Sequence, residues 1–422
     1  MKTKNIFLSI LVFFVFCSVS SCNKESNERL DLLKVNQPAS VLNIETDSLL
    51  IKEKSISFLR NQFSSLRSST LETVSLQTVS REIQLPSSFN FARKENVPVY
   101  IVNLKNAEGE PAGFVIRIGL DKISNPVLAF SDQGSWAITD TPFVDMFFEQ
   151  ADFIIKQEIE NSISLYGVNS DDCETELLNS DTNETKRECN MNLRWIQGFP
   201  YNVNLPTCID GGSGGHTPAG CVAIALGQIM AFHEKPLSGY YISKVTGQGI
   251  TTSYNWSTMK ARPTIYDLSV VGQAQIANLI AEIGYRTNMD YGCSGSGATI
   301  NDAKSCLTSM GYSNTSISSY NRSNVIAELA QGYPVYMRGT NSQNEGHAWV
   351  VEGYRIIQSI DSYVRRCPNS ADEYYDDQQS AYYLYFNLGL EPGLNAYYAA
   401  WSGSIGESFQ FNYDLKTITN IR

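Results

Sequence analysis

The stretch GGHTPAGC, residues 214–221, runs without a break into the apolar stretch VAIALGQIM, residues 222–230. The glycines favour a loop, and the apolar run predicts a helix that begins at Cys221 and ends before Pro236. Because the run is apolar on nearly every face, we expect a buried helix whose N-terminus faces a cleft. The free amides and the dipole at that end favour a thiolate, so Cys221 is a candidate nucleophile. The alternative is a structural cysteine or one half of a disulfide.

A thiolate nucleophile requires a base that holds its proton, and imidazole suits this task near neutral pH. The chain has 3 histidines. His347 lies where the polar loop 340–345 enters an apolar strand, so we expect it to reach across a cleft. His233 lies roughly 18 Å along the helix from Cys221 at ~1.5 Å per residue, and His216 lies in the glycine-rich loop. We therefore favour His347 as the base.

Two amide side chains complete the candidate site. Asn387 closes a predicted strand at residues 382–386, and its amide oxygen is a candidate acceptor for the imidazole. The alternative is an ordinary turn asparagine. Gln197, in WIQGFPYN at residues 195–202, is a candidate donor to an oxyanion, together with the backbone N–H of Cys221.

These segments resemble the streptopain family of secreted cysteine peptidases, a branch of the papain-like clan. The family pattern has Trp-x-Gln-x-x-Pro-Tyr-Asn ahead of a Gly-Cys-Val-Ala helix, and residues 195–202 and 220–223 match it. Gly346-His347-Ala348 matches the segment of the catalytic histidine. The resemblance implies Cys221 as the nucleophile, His347 as the general base and acid, and Gln197 as the oxyanion donor.

One departure from the family concerns the segment after Asn387. The family has Asn-Trp-Gly-Trp where this chain has Asn387-Leu388-Gly389-Leu390. In papain-like sites the first tryptophan shields the imidazole contact from water, so the resemblance implies partial shielding by Leu388. Trp349 and Trp401 are candidate substitutes.

The resemblance extends upstream, where residues 113–116 and 126–132 are similar to the family's inhibitory propeptide. It implies an α+β fold, in which a small α+β propeptide domain precedes a papain-like catalytic domain with a helical part and an antiparallel sheet. The residue patterns upstream predict a helix at 47–63, a loop at 64–88, strands at 97–104, 114–118 and 127–130, and a helix from Pro142 through Ile159. The expected division of the chain is 1–21 signal peptide, 22–45 tether, 46–165 propeptide domain, 166–190 exposed linker and 191–422 peptidase domain.

The N-terminus has the pattern of an export signal. Lys2 and Lys4 precede an apolar run at residues 6–16, which is short for a bilayer span. The following VSSC, residues 19–22, resembles the bacterial lipoprotein box, which implies cleavage before Cys22 and lipid on its sulfur. The alternative is a plain signal peptide with an incidental cysteine. We expect a bacterial lipoprotein of the outer membrane or the cell surface. Its only contact with the membrane is through this lipid.

The composition limits the kinds of partner, bound metal and disulfide that the protein can have. Asp and Glu number 43 against 32 Lys and Arg, which disfavours a nucleic-acid partner. The few histidines disfavour a multi-histidine metal site, and no cofactor is expected. Of 9 cysteines, Cys17 leaves with the signal and Cys22 is the lipid site. With Cys221 free, the other cysteines suffice for three disulfides, whose pairing the sequence does not fix. The alternative is that several of them stay reduced and buried.

These patterns predict a lipid-anchored zymogen of a cysteine endopeptidase, with protein or peptide substrates and its own propeptide as inhibitor. The exposed linker would be cut during activation, and Lys186-Arg187 is a weak candidate for that cut. One alternative is a peptidase-like surface lipoprotein that binds peptides with little or no turnover. A second alternative is an N-terminal unit that inhibits other proteases.

Overall fold

Helices and antiparallel strands make up the computed structural model, which describes residues 44–84, 94–120, 123, 125–166, 174–209, 213–367, 370–390, 392–400 and 414–422. The helices are α1 Ser48–Gln62, α2 Pro142–Tyr166, α3 Cys221–His233, α4 Trp256–Met259, α5 Val270–Arg286, α6 Ile300–Ser309 and α7 Arg322–Ala330. The first strands are β1 Glu72–Gln84, β2 Lys94–Lys105, β3 Pro111–Ile118, β4 Val127–Ser131, β5 Glu174–Glu188, β6 Ser238–Ile242, β7 Gly249–Ser253, β8 Asp290–Tyr291 and β9 Ser296–Gly297. The later strands are β10 Ser316–Ser319, β11 Val335–Thr340, β12 Gly346–Arg366, β13 Glu373–Asn387, β14 Ala396–Ala399 and β15 Lys416–Thr419.

The three predicted helices form as α1, α2 and α3, and α2 continues past Ile159 to Tyr166. Asp47 caps α1 by accepting from the amides of Leu49 and Leu50, as a short carboxylate does at a helix start. Helix α2 begins at Pro142, and the amide of Val144 donates to the hydroxyl of Thr141. Helix α3 begins at Cys221 and is buried from residue 222 to residue 231, as its apolar sequence predicts.

One antiparallel sheet of 11 strands runs through the described residues in the order β1-β2-β3-β4-β14-β13-β12-β11-β15-β10, with β5 paired to β12. The upstream strands join the downstream ones where Phe130 of β4 pairs with Tyr397 of β14. The α+β fold with a helical part and an antiparallel sheet is confirmed. The predicted propeptide and peptidase regions therefore share one sheet.

Two predictions about polar segments are wrong. The loop predicted at 64–88 contains β1, which pairs with β2 along its length. The linker predicted at 166–190 contains β5, which pairs with residues 353–366 of β12, so Lys186 and Arg187 lie in a paired strand. Exposed side chains made both segments resemble loops, but strand pairing uses backbone groups and needs no apolar residues on a solvent face.

The two faces of β12 have different neighbours, because successive side chains of a strand point to opposite faces. Ala348 and Val350 join the core cluster that contains α3. Trp349, between them in sequence, packs against Phe143 of α2 with ring centroids 5.9 Å apart. Helix α3 and helix α2 therefore cover opposite faces of the sheet at the start of β12.

Some of the cysteines form disulfides and others stay reduced. Cys208 and Cys293 form a disulfide, and Cys367 is also disulfide-bonded. Cys189 and Cys306 carry free thiols, which agrees with the alternative that some of these cysteines stay reduced. Cys306 is fully buried in the core and its sulfur lies 3.7 Å from that of Met310, where it acts as a small apolar side chain.

Several predictions concern residues outside the described ranges: the signal at 1–21, most of the tether at 22–45, Cys17, Cys22, Cys173 and Trp401. No helix in the described part of the chain combines the length and apolarity needed to cross a bilayer.

Candidate active site

Cys221 is the first residue of α3 and carries a free thiol. The residue before it, Gly220, has φ 84° and ψ 136°, a conformation that residues with a side chain rarely adopt. A Cβ on Gly220 would lie 2.9 Å from the carbonyl oxygen of Ser296 and 3.0 Å from the sulfur of Met289. Only glycine fits at this position, and it brings the loop 292–297 directly against the start of the helix.

Opposing effects act on the thiol of Cys221. Burial raises its pKa above the ordinary value, and this is the largest effect. The backbone amides of Ala348, Val222 and Cys221 itself lower the pKa, and so does the charge of Arg338. The effect of burial on the pKa is larger than these opposing effects, so the sulfur carries its proton at neutral pH. The helix N-terminus alone would favour the thiolate.

His347 lies at the start of β12 and is only 6% exposed. Its Nε2 lies 2.8 Å from the carbonyl oxygen of Leu388. Because a carbonyl oxygen only accepts, Nε2 carries the hydrogen and donates it. Burial lowers the pKa of His347 to about 4, and the hydrogen bond to Leu388 opposes this in part. The imidazole is therefore neutral at physiological pH.

The imidazole of His347 lies on the α2 side of the sheet, away from the sulfur. Its ring centroid is 6.1 Å from that of Phe143 and 6.1 Å from that of Trp349, on which it stacks. The sulfur of Cys221 lies at the backbone amide of Ala348, on the side that α3 covers. No hydrogen bond joins Cys221 to His347, both of which belong to the described residues. Cys221 of α3 and His347 of β12 both adjoin the start of β12, but their side chains lie on opposite sides of the sheet.

Phe143 is the centre of an aromatic cluster on the α2 side. Its ring also lies 5.2 Å from that of Tyr398 and 6.4 Å from that of Phe386. A cavity of ≈ 300 Å³ adjoins this cluster between α2 and the sheet. Phe143 comes from the region predicted to be a propeptide, so the upstream part of the chain contacts the candidate catalytic histidine directly.

The structure contradicts the expected contact between Asn387 and the imidazole. The side chain of Asn387 is 1% exposed and donates to the carbonyl of Leu193 at 2.6 Å and to Gln228 Oε1 at 3.0 Å. Its oxygen accepts from Gln228 Nε2 at 3.2 Å. Asn387 therefore ties β13 to α3, and the main chain of Leu388 provides the oxygen that the imidazole meets. Sequence reasoning missed Gln228, which lies in the apolar helix.

Gln197 lies on the approach to α3, where its backbone carbonyl accepts from the amide of Ala219 at 2.9 Å. It is partly buried, and its role as an oxyanion donor stays a prediction. The other histidines serve the fold. His216 Nδ1 lies 2.9 Å from the carbonyl oxygen of Leu205. His233 lies beside the rings of Tyr312 and Tyr333, where burial lowers its pKa to about 4.

The chain is similar in sequence to known cysteine peptidases. The model of the peptidase C10 family matches residues 195–398. Streptopain of Streptococcus pyogenes is 28% identical over 292 residues, which are 60% of this chain and 68% of that protein. The thiol protease/hemagglutinin PrtT of Porphyromonas gingivalis is 28% identical over 190 residues, 40% of this chain and 21% of that protein. The solved prointerpain A fragment of Prevotella intermedia has a TM-score of 0.49 and 18% identity, covering 81% of this chain and 99% of the fragment.

Proposed function

Because this chain belongs to the C10 family of streptopain-like cysteine peptidases and is a cysteine-type endopeptidase, we propose that it is made as a zymogen in which α2 keeps His347 away from Cys221. One observation carries the proposal. The imidazole packs against Phe143 of the upstream region and donates to Leu388, while the sulfur lies at the amide of Ala348. A neutral thiol and a neutral, separated imidazole make an inactive pair.

Activation, on this proposal, removes α2 from the sheet. The departure of Phe143 uncovers one side of the imidazole and leaves the bond to Leu388 as its main restraint. The ring then turns toward Cys221 and takes the proton of the thiol. The ion pair raises the nucleophilicity of the sulfur, and the first amides of α3 favour the thiolate.

The reaction that follows is an acyl transfer in two halves. The thiolate of Cys221 attacks the peptide carbonyl carbon, and the backbone N–H of Cys221 and the amide of Gln197 stabilise the oxyanion. The imidazolium of His347 then gives its proton to the leaving amine as the C–N bond breaks. Water, deprotonated by the imidazole, attacks the thioester and releases the carboxylic acid and the free thiol. Leu388, which is fully buried, and Trp349, which stacks on the imidazole, support an apolar surrounding for this proton transfer.

We extend the proposal to the location of the enzyme. The N-terminal export signal and the VSSC stretch support export and lipid attachment at Cys22, at the surface of a bacterium. Growing bacteria that produce the protein with a labelled fatty acid tests lipid attachment separately from the peptidase activity. The label should enter the wild-type chain and be absent from a Cys22→Ser variant, which should appear in the medium. A Cys22→Ser chain that is labelled and retained like the wild type would contradict lipid attachment.

The peptidase proposal is tested with the precursor, residues 23–422, incubated with reductant and an unfolded protein substrate. We expect a shorter fragment containing residues 195–398 to appear together with hydrolysis of the substrate. Both should be lost in Cys221→Ala and in His347→Ala, because each variant lacks one member of the pair. Cys189→Ala is the matched control, because Cys189 is also a partly buried free thiol but lies directly after β5, where its amide donates to the carbonyl of Glu352. A wild-type chain that stays intact, hydrolyses nothing and resists iodoacetamide at Cys221 would be a binding protein instead.

A further inference from the structure

Arg338 lies on the same face of the sheet as Cys221. On β11 it pairs with Ala348 of β12, and paired residues of neighbouring strands project their side chains to the same face. Ala348 belongs to the core cluster around α3, and its backbone amide acts on the sulfur of Cys221. Arg338 is thus the cross-strand neighbour of the residue that contacts the nucleophile.

The guanidinium of Arg338 reaches the open end of β12. A Cβ on Gly346 would lie 3.5 Å from Nη2 of Arg338, and Gly346 is exposed immediately before His347. The positive charge of Arg338 also acts on the nucleophile, because it lowers the pKa of the Cys221 thiol. These observations put a positive charge on the Cys221 side of the sheet, near the exposed start of β12.

Arg338 is partly buried but no ion pair or hydrogen bond of the described residues involves its side chain. Buried arginines elsewhere in the chain are paired: Arg117 with Glu45 at 3.3 Å and Arg355 with Glu184 at 3.2 Å. A guanidinium has five N–H donors, and none of those of Arg338 is among the buried unpartnered atoms of the described residues, so they are open to a ligand from solvent. The side chain therefore has the donors, the charge and the position to bind a carboxylate of another molecule.

We infer that Arg338 selects substrates with an aspartate or glutamate side chain close to the cleaved bond. The inference rests on the proposed peptidase function and adds its specificity. A carboxylate matches the planar fork of a guanidinium with two parallel hydrogen bonds. An extended peptide advances about 3.3 Å per residue, so the acidic residue should lie within about three residues of the bond that Cys221 attacks.

The test uses the processed enzyme and fluorogenic peptides that differ only in Glu, Gln or Lys at one position near the cleaved bond. A hydrogen bond between charged groups accounts for roughly 10-fold to 100-fold, so kcat/KM should favour Glu over Gln by that factor. The preference should vanish in Arg338→Gln, persist in part in Arg338→Lys and turn toward the Lys peptide in Arg338→Glu. Arg262→Gln is the matched control, because Arg262 is an exposed arginine in the loop before α5.

Comparing substrates separates specificity from a general effect on the thiolate. If the wild type shows no preference for acidic peptides at any position, or if Arg338→Gln lowers kcat/KM equally for Glu and Gln peptides, the inference is wrong and the peptidase function stands. If the wild type cleaves no peptide and Cys221 is inert to alkylation, both proposals fail. Thermal unfolding of each variant identifies a misfolded one, and the Lys variant, which keeps the charge and the stem, then decides the question.

Discussion

The ring of His347 meets the ring of Phe143 edge-on, with centroids 6.1 Å apart and planes at 62°. These two residues lie far apart in sequence, one in the helix upstream and one at the start of β12. Their contact makes the conformation of a candidate catalytic residue depend on whether α2 is docked. Latency is then a matter of packing, since the aromatic cluster around Phe143 must come apart before the imidazole can turn toward Cys221.

The first prediction concerns that contact. Phe143→Ala removes the ring that covers His347, so the precursor should process itself several-fold faster than the wild type. Phe147→Ala is the matched control, because Phe147 contacts Trp136, Phe148 and Tyr398 but not His347. Each substitution lowers the unfolding free energy by about 3–5 kcal/mol through lost packing. A general loosening of α2 therefore affects both variants alike. Gel electrophoresis over time measures the rate of processing. Equal rates in the two variants would argue against a specific role of Phe143.

The second prediction is a pH dependence of the latent state. The pKa of His347 is lowered to about 4 in the folded precursor, whereas an exposed histidine has a pKa of ~6.5. The folded state therefore stays neutral where the unfolded state binds a proton, and stability falls as pH drops from 6.5 toward 4. The full difference is about 3 kcal/mol.

Urea unfolding of a Cys221→Ala precursor between pH 4 and pH 7.5 measures this dependence. The slope should be smaller in a His347→Gln variant over the same interval. His233 also has a lowered pKa and contributes its own share, so the comparison is between variants and not with a flat line. An unchanged slope in His347→Gln would mean that the imidazole is not held in a buried neutral state.

The elements near the nucleophile could be predicted because their signals are local. The apolar run after Gly220 gives the length of α3, and the polar loop before His347 marks the start of β12. The face of the sheet on which His347 lies has no local signal, because alternation fixes which residues share a face but not which helix covers it. That assignment depends on α2, whose packing against β12 comes from a distant part of the chain.

Long-range partners explain the wrong predictions as well. The polar segment at 174–188 becomes a strand only because β12 offers a free edge, and the register joins Glu188 to Gly353. Asn387 resembled an orienting residue until Gln228 was found to pair with it from a position 159 residues earlier. A propensity or a turn pattern carries no information about such partners.

The third prediction tests the glycine at the start of α3. Gly220→Ala requires a positive φ for alanine and brings a Cβ to 2.9 Å from the carbonyl oxygen of Ser296. We expect a loss of at least ~2 kcal/mol in unfolding free energy and lower activity, because Cys221 would shift with the backbone. Gly295→Ala, in the same loop region, has nothing within 4 Å of the added Cβ and should change stability little. A Gly220→Ala protein as stable as Gly295→Ala would contradict the close approach.

The fourth prediction separates a structural from a catalytic role of Asn387. Asn387→Ala and Gln228→Ala each leave buried polar groups without partners, at a cost of about 1–3 kcal/mol. The double variant should lose less than the two single losses combined, because both remove the same pair of hydrogen bonds. Denaturant unfolding of all three chains gives the coupling. Full additivity, together with a fall in kcat for Asn387→Ala alone, would instead mean that the amide orients the imidazole in the processed enzyme.

The fifth prediction concerns Glu352, which follows the first six residues of β12. One of its carboxylate oxygens is buried without a hydrogen-bond partner. Burial, helped by the charge of Glu188, raises its pKa to about 8, although Arg194 and Asn387 oppose this. The folded state then holds a proton that the unfolded state releases near pH ~4.5, so the carboxylate destabilises the fold increasingly as pH rises from 4.5 to 8. The difference is up to ~5 kcal/mol at the upper end.

Glu352→Gln keeps the shape of the side chain and cannot ionise, so its unfolding free energy should exceed that of the parent by an amount that grows with pH. The parent for this comparison is the Cys221→Ala precursor, which cannot process itself during the measurement. The gain should be small at pH 4.5 and reach its plateau above pH 8. Glu108→Gln, in the exposed turn between β2 and β3, should show no such growth. A Glu352→Gln gain that is constant across the range would mean that the carboxyl group is not the titrating group, and that its effect on stability comes from packing alone.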